Sequence, residues 1–339
     1  MDLRTVFTIR TVDIAARRHG RDAVGERAED DGKGTAMTTT LPVERSDAGA
    51  RDRRQVRALG IILILLALGM AAAAVLGPLV LGWMSYRTSS TTLNQLEGGD
   101  AAVLFVVAPL TLVVAVLGLR GHRAAPPLGA GIGVFAVYTF AQVIIGQEYL
   151  RLPGNVERYF PLLLAVFILA EAAIALGLRA TPHDLSTPSP GVRRAAALAL
   201  LLVAVFLTVG QHLRSMLSAW SNPARLTEYA SSPTPFWMVK LMDLGIIVPA
   251  AVLIGVGLWH GASWALRAAY LMLTAYTCLG LSVAAMAVRM TLRNDPDASL
   301  GLTVGFGAFA MTFAVVTVLL YRPLFLAHHV SADRREPAP

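Results

Sequence analysis

The sequence predicts an all-α, polytopic transmembrane bundle of about eight spans. Three observations point there. Hydrophobic residues make up 55% of the 339 positions and charged residues 15%, with a mean hydropathy of +0.59, a balance that would leave a soluble fold without enough polar surface. Apolar runs recur that are long enough, at about 1.5 Å per residue, to cross roughly 30 Å of hydrocarbon. None of them alternates with the period of two that marks a barrel strand. Because backbone groups in lipid must pair within the segment, each run is expected to be an α-helix.

Taken in order, the runs give spans at 58–83, 101–119, 128–146, 159–178, 195–216, 236–259, 268–286 and 302–321. The transmembrane domain therefore extends over 58–323, with a short cytoplasmic tail at 324–339. Residues 1–57 are polar and lack a sustained apolar period, so they are expected to be disordered or only locally helical. The basic pattern over 3–18 reads as a solvated segment or as one resting on an anionic membrane surface. Met37 stands as a second plausible start. The apolar stretch near residue 58 is too long for a signal-peptide core and is expected to be a span.

Arginines beside span ends are retained in the cytoplasm. Arg51, Arg53, Arg54 and Arg57 before the first span, then Arg120, Arg123, Arg179, Arg193, Arg194, Arg267, Arg322, Arg334 and Arg335, share one side and outnumber the opposite set. Both termini are accordingly expected in the cytoplasm, with the chain in the plasma membrane. Trp83, Trp220, Trp237, Trp259 and Trp264 fall at span ends, as an interfacial belt requires, and Tyr86, Tyr149, Tyr159 and Tyr321 repeat the pattern. Tyr138, Tyr270 and Tyr276 lie within spans and are expected to hydrogen-bond neighbouring helices.

The net charge of +7 does not indicate nucleic acid, because the basic residues sit in short loops and tails rather than on one soluble face. Nearly all of it is arginine, since Lys33 and Lys240 are the only lysines. A single cysteine, Cys278, excludes an intrachain disulfide, a CxxC pair and a cysteine-based zinc site, and reads as a small apolar residue inside a helix. There is no HExxH, P-loop or GxGxxG signature, and no metal-ligand spacing beyond the adjacent His328 and His329. Gly280, Leu281 and Ser282 lack the following glycine of a serine-protease motif. No catalytic residue, cofactor or metal is assigned.

Spans one to four and five to eight read as a parallel 4+4 repeat: Asp100, Pro109, Gly118 and Tyr138 in the first half find loose matches in Asp243, Pro249, Gly257 and Tyr276. Four helices per half would leave both halves pointing the same way. Chance likeness between leucine- and alanine-rich spans is the alternative.

Ionisable groups inside spans are costly and few. Asp243 has Lys240 three residues earlier on the same face, so a salt bridge is geometrically available. The alternative is a lysine that snorkels outward while Asp243 bonds a hydroxyl or Arg289 and simply ties helices together. Asp100, Gln142, His212, Lys240 and Asp243, with Gln147, Glu148 and Arg289 nearby, are expected to line a small polar cleft open to the outer face, unless helix-end solvation accounts for them. Glu171, in the cytoplasmic half of the fourth span, is expected to be a buried carboxylate that is protonated, paired or part of a proton path.

The stretch 232–257, SPTPFWMVKLMDLGIIVPAAVLIGVG, and the loop leading into Gly98, Gly99 and Asp100 resemble uncharacterised multi-span membrane proteins of bacteria. The resemblance covers most of the helical region and implies no activity, ligand or cofactor. It draws attention to Asp100 and Asp243 at the starts of the second and sixth spans. Beyond the lipid bilayer, a membrane-protein partner or a second copy, and a small-molecule or ion ligand, are open. The leading expectation is a non-enzymatic, transporter-like or accessory protein in which Asp100 and Asp243 bind a cation and Lys240 is the counter-charge. The alternatives are a membrane-embedded enzyme acting on a lipid-linked substrate through Asp243 and His212, or a scaffold for a membrane complex.

Overall fold

The structure is a computed structural model that describes residues 44–182, 185 and 187–333, with side chains within 53–326. The described residues form helices and connecting turns, without strands. Eight helices are long and apolar enough to cross a membrane, which makes the chain a multi-pass integral membrane protein. They are α1 (Glu44–Leu76), α2 (Ser90–Leu119), α3 (Ala125–Ile145), α4 (Val156–Ala180), α5 (Pro190–Ser221), α6 (Pro233–Trp259), α7 (Ser263–Leu292) and α8 (Leu300–Asp333).

Several ends differ from the sequence expectation. Helix α1 stops at Leu76 instead of reaching residue 83, because Pro78 has no N–H to donate and biases the preceding Gly77 away from helical geometry. Helix α2 starts at Ser90, eleven residues before the expected span, with the Ser89 hydroxyl accepting from the Thr92 N–H at 3.4 Å. Asp100 is therefore ten residues inside a helix and not at its start. Residues 44–57, read as polar and at most locally helical, belong to α1. The readings for 1–43, for the side chains of His328 and His329, and for Arg334 and Arg335 lie outside the described residues.

The two halves share one plan. Helix α1 packs on α2 as α5 packs on α6, α3 on α4 as α7 on α8, α1 on α4 as α5 on α8, and α2 on α3 as α6 on α7. Backbone irregularities recur 140 residues apart. A π-helical turn spans Val103–Val107 in α2 and Asp243–Ile247 in α6, each ending two residues before a proline, Pro109 or Pro249. The proline lacks the N–H that would close the regular ladder, and a widened turn accommodates the gap. Twelve residues past each proline, Gly121 (φ 72°) and Gly261 (φ 75°) end the helix in left-handed geometry open to glycine. Near the start of each half stands an arginine pair, Arg53 with Arg54 in α1 and Arg193 with Arg194 in α5.

The contact between halves obeys the same offset. Gly131 of α3 lies against its own counterpart Leu271 of α7, where an added Cβ would come 2.5 Å from the Leu271 carbonyl oxygen. Gly98 meets Met286, and at the corresponding positions Met238 meets Gly146, so glycine and methionine simply change places. Reciprocal contacts of this kind are what a two-fold relation between like units produces. Each half also has its own core, with Cys278 of α7 buried in the first-half core that also holds Val103, and Tyr138 of α3 packed against the second. This register corrects the sequence alignment: Asp100 corresponds to Lys240, Asp243 to Val103, and Tyr138 to Cys278.

Candidate functional site

Asp243 opens the π-helical turn of α6 and is buried. On one side its Oδ1 accepts the hydroxyl of Tyr138 from α3. On the other, its Oδ2 lies 2.8 Å from Nε2 of the buried His212 in α5. Gln142 lies one turn beyond Tyr138 on α3. The set thus joins α3 of the first half to α5 and α6 of the second. Asp243 sits ten residues from the start of α6, and Tyr138 and His212 lie seven and nine residues from the ends of α3 and α5. At about 1.5 Å per residue all three are roughly 10–15 Å inside the same end of the bundle.

What the repeat demands can be separated from what it does not. Both halves have the π-helical turn before the proline. Only the second has a π-helical stretch in its first helix, Phe206–Leu213, which holds His212, whereas α1 is α-helical throughout. At the positions related by the repeat, Val103 of α2 stands for Asp243, Cys278 of α7 for Tyr138, and the alanine run at 71–74 of α1 for His212. The polar set is therefore dispensable to this architecture, and π-helical turns of this kind accompany functional positions. Beside His212, the Nε2 of Gln211 is a buried donor without a partner among the described residues, and so is the hydroxyl of Ser282 in α7.

Lys240 is buried, yet it does not pair with Asp243; its ammonium lies 3.2 Å from the centroid of the Phe236 ring. Regular helical spacing would have put the two charges on one face, but the turn that widens at Asp243 directs the carboxylate to α3 and α5. Asp100 belongs to a different environment. The Tyr86 hydroxyl donates to its two oxygens at 3.1 and 3.4 Å. Burial, and then the adjacent Asp100 charge, push the Tyr86 phenol well above its ordinary range, so it stays a donor. Tyr86 and Tyr321 are buried and do not join the interfacial belt, whereas all five tryptophans are exposed or nearly so. Tyr276 donates to the Ile247 carbonyl at 2.7 Å and Tyr270 to that of Leu320 at 3.0 Å, as their mid-span positions required.

No family model matches the chain, and neither a curated protein nor a solved structure matches it. The functional reading therefore rests on geometry alone.

Other polar residues expected in the cleft have structural work. The Gln147 side chain accepts from the Arg87 N–H at 2.7 Å, and Glu148 caps α6 by accepting from the Thr234 N–H at 2.7 Å. Arg289 is held by Glu97, which accepts from it at 2.8 and 2.5 Å, and tethers α7 to α2. Glu97 escaped the sequence reading, and its only cue was a charge one turn before Asp100. Nearby, Asp295 accepts from Asn94 at 2.7 Å and from Thr91 at 3.3 Å. Glu171 is not buried; it faces outward from α4. Among the described residues no group of three or more His, Cys, Asp or Glu side chains is placed to hold a metal.

Proposed function

We propose that the protein is a transporter-type membrane protein whose coupling site is the Tyr138–Asp243–His212 set between its halves, with a proton as the coupling ion. One observation carries the reading: a carboxylate well inside a span is hydrogen-bonded on both oxygens by helices of opposite halves, in a place whose counterpart across the repeat is filled with apolar residues. Intramembrane ionisable groups at repeat interfaces are where transporters bind substrate and ion. A proton added to Asp243 removes the carboxylate charge, so the hydrogen bond that Tyr138 donates to it loses its charge assistance and weakens. Because Tyr138 belongs to the first half and Asp243, with His212, to the second, weakening the Tyr138 bond loosens the tie between the halves and lets one rock against the other. Asp100, with Tyr86 as its partner, is not part of this site. We place both chain ends on the cytoplasmic side of the plasma membrane, where Arg53, Arg54, Arg193 and Arg194 collect with Arg120 and Arg123 of the 120–124 connection and with Arg179 at the end of α4.

A His–Asp pair in direct contact is also the base-and-orienter arrangement of acid–base enzymes. The Tyr138 hydroxyl donates to Asp243 and that of Ser215 to the His212 carbonyl at 3.0 Å, so neither is presented to the imidazole as a nucleophile, which favours the transport reading.

The test uses full-length protein in liposomes that enclose a pH-sensitive dye, under an inside-negative potential, with pools of amino acids, organic acids, sugars, nucleosides and inorganic ions added outside. At least one pool should accelerate proton entry, and Asp243→Asn should slow that entry by roughly a hundred-fold, the scale of removing a group that carries the proton. An Asn variant as active as the wild type, or no proton movement with any pool, would contradict the proposal.

A further inference from the structure

Helix α4 carries Glu171 nine residues from its end at Ala180, about 13 Å along the axis at ~1.5 Å per residue. That depth lies within the hydrocarbon of a bilayer roughly 30 Å thick. The side chain is exposed on the outside of the bundle and makes no hydrogen bond or ion pair with any described residue. A glutamate is too short to reach the interface from there. Arg179, two turns further on, is about 12 Å away along the axis and beyond ion-pair range.

The face is shaped for a helix. Its exposed positions Leu164, Ile168, Glu171, Ala175 and Leu178 follow the 4-3-4-3 spacing of a seam against which a second helix packs, while Val166, Ala170, Ala173 and Gly177 turn inward. Within such a seam a single polar residue selects the partner and its register. Helix α8, the counterpart of α4, has no acidic residue from Leu300 to Leu326, so the carboxylate is no requirement of the repeat.

We propose that this face of α4 docks a transmembrane helix of a different membrane protein, one that carries a basic side chain at the depth of Glu171. A second copy of this chain is the poorer fit. In a symmetric pair of α4 helices, Glu171 would meet Glu171 and Arg179 would meet Arg179, like charge against like. A basic side chain satisfies the carboxylate directly, and its own exclusion from lipid adds to the pairing.

The test uses a synthetic leucine–alanine transmembrane helix with one arginine at the matched depth, and the same helix without it. Full-length protein, labelled with a donor dye at an introduced Leu150→Cys, is placed in phosphatidylcholine vesicles with acceptor-labelled peptide, and energy transfer reports association. The arginine peptide should bind the wild type roughly ten-fold more tightly than the plain one. Glu171→Gln should reduce that advantage and Glu171→Leu abolish it, both variants being lipid-facing and expected to fold. The idea fails if the arginine confers no advantage or if the advantage survives in Glu171→Leu. It fails equally if the protein instead self-associates through this face, seen as transfer between two copies that Glu171→Leu removes.

Discussion

Replacing the polar set by apolar side chains, as Tyr138→Phe, His212→Ala and Asp243→Val together, should abolish proton-coupled transport and leave the protein as stable as the wild type, or up to a few kcal/mol more so. The first half already folds around Val103, Cys278 and alanines at these places, so the packing tolerates apolar groups there. Desolvating a carboxylate, an imidazole and a phenol offsets most of what their mutual hydrogen bonds return. The single change Asp243→Val behaves differently, because it strands the Tyr138 hydroxyl and the His212 ring as buried groups without a partner. It should cost about 3 kcal/mol. Thermal unfolding of the three forms in detergent, together with the liposome assay, checks both parts. A triple variant that fails to fold would mean that the set holds the halves together and nothing more.

The second large effect concerns the seam between halves. Gly98→Val should destabilise the protein by about 3 kcal/mol or more, since its Cβ alone would sit 2.5 Å from the Met286 Cα and 2.7 Å from the Ala285 carbonyl oxygen. Those are backbone atoms, and they cannot rotate aside as a side chain can. Gly146→Ala meets only the flexible end of Met238 across the seam, along with the Gln142 carbonyl of its own helix, so it should cost less. Gly305→Ala, with nothing within 4 Å, should be neutral or gain up to about 1 kcal/mol from helix propensity. The comparison is made by thermal unfolding in one detergent, and equal losses at all three glycines would contradict the packing described for α2 and α7.

How far the sequence could be read follows from what each residue type reports. Apolar runs report spans directly, and the eight helices and the mid-span tyrosines seeking partners were legible for that reason. Ends were legible only where a backbone rule was applied: Pro78 stops α1, while the polar turns 90–100 hide a helix start behind a hydropathy pattern. The repeat was visible in Pro109 and Pro249, because a missing N–H has the same consequence in both halves. It was misread at Asp100 and Asp243, because buried positions accept almost any side chain the other half supplies. The Lys240–Asp243 pairing assumed a regular 3.6-residue helix, and the π-helical turn at Asp243 breaks that assumption. The pairs Tyr138 with Asp243, His212 with Asp243 and Glu97 with Arg289 join residues 31 to 192 positions apart. Nothing local in the sequence specifies which partners meet.

Spin-label distances across the two halves test the coupling idea at its root. Cys278 is fully buried, so cysteines introduced at the exposed Leu150, between α3 and α4, and Leu300, at the start of α8, take the label selectively. In the wild type the distance distribution should shift between alkaline and acidic buffer, and in Asp243→Asn it should be the same in both. A wild type that holds one distance throughout, or an Asn variant that shifts as the wild type does, would contradict the account.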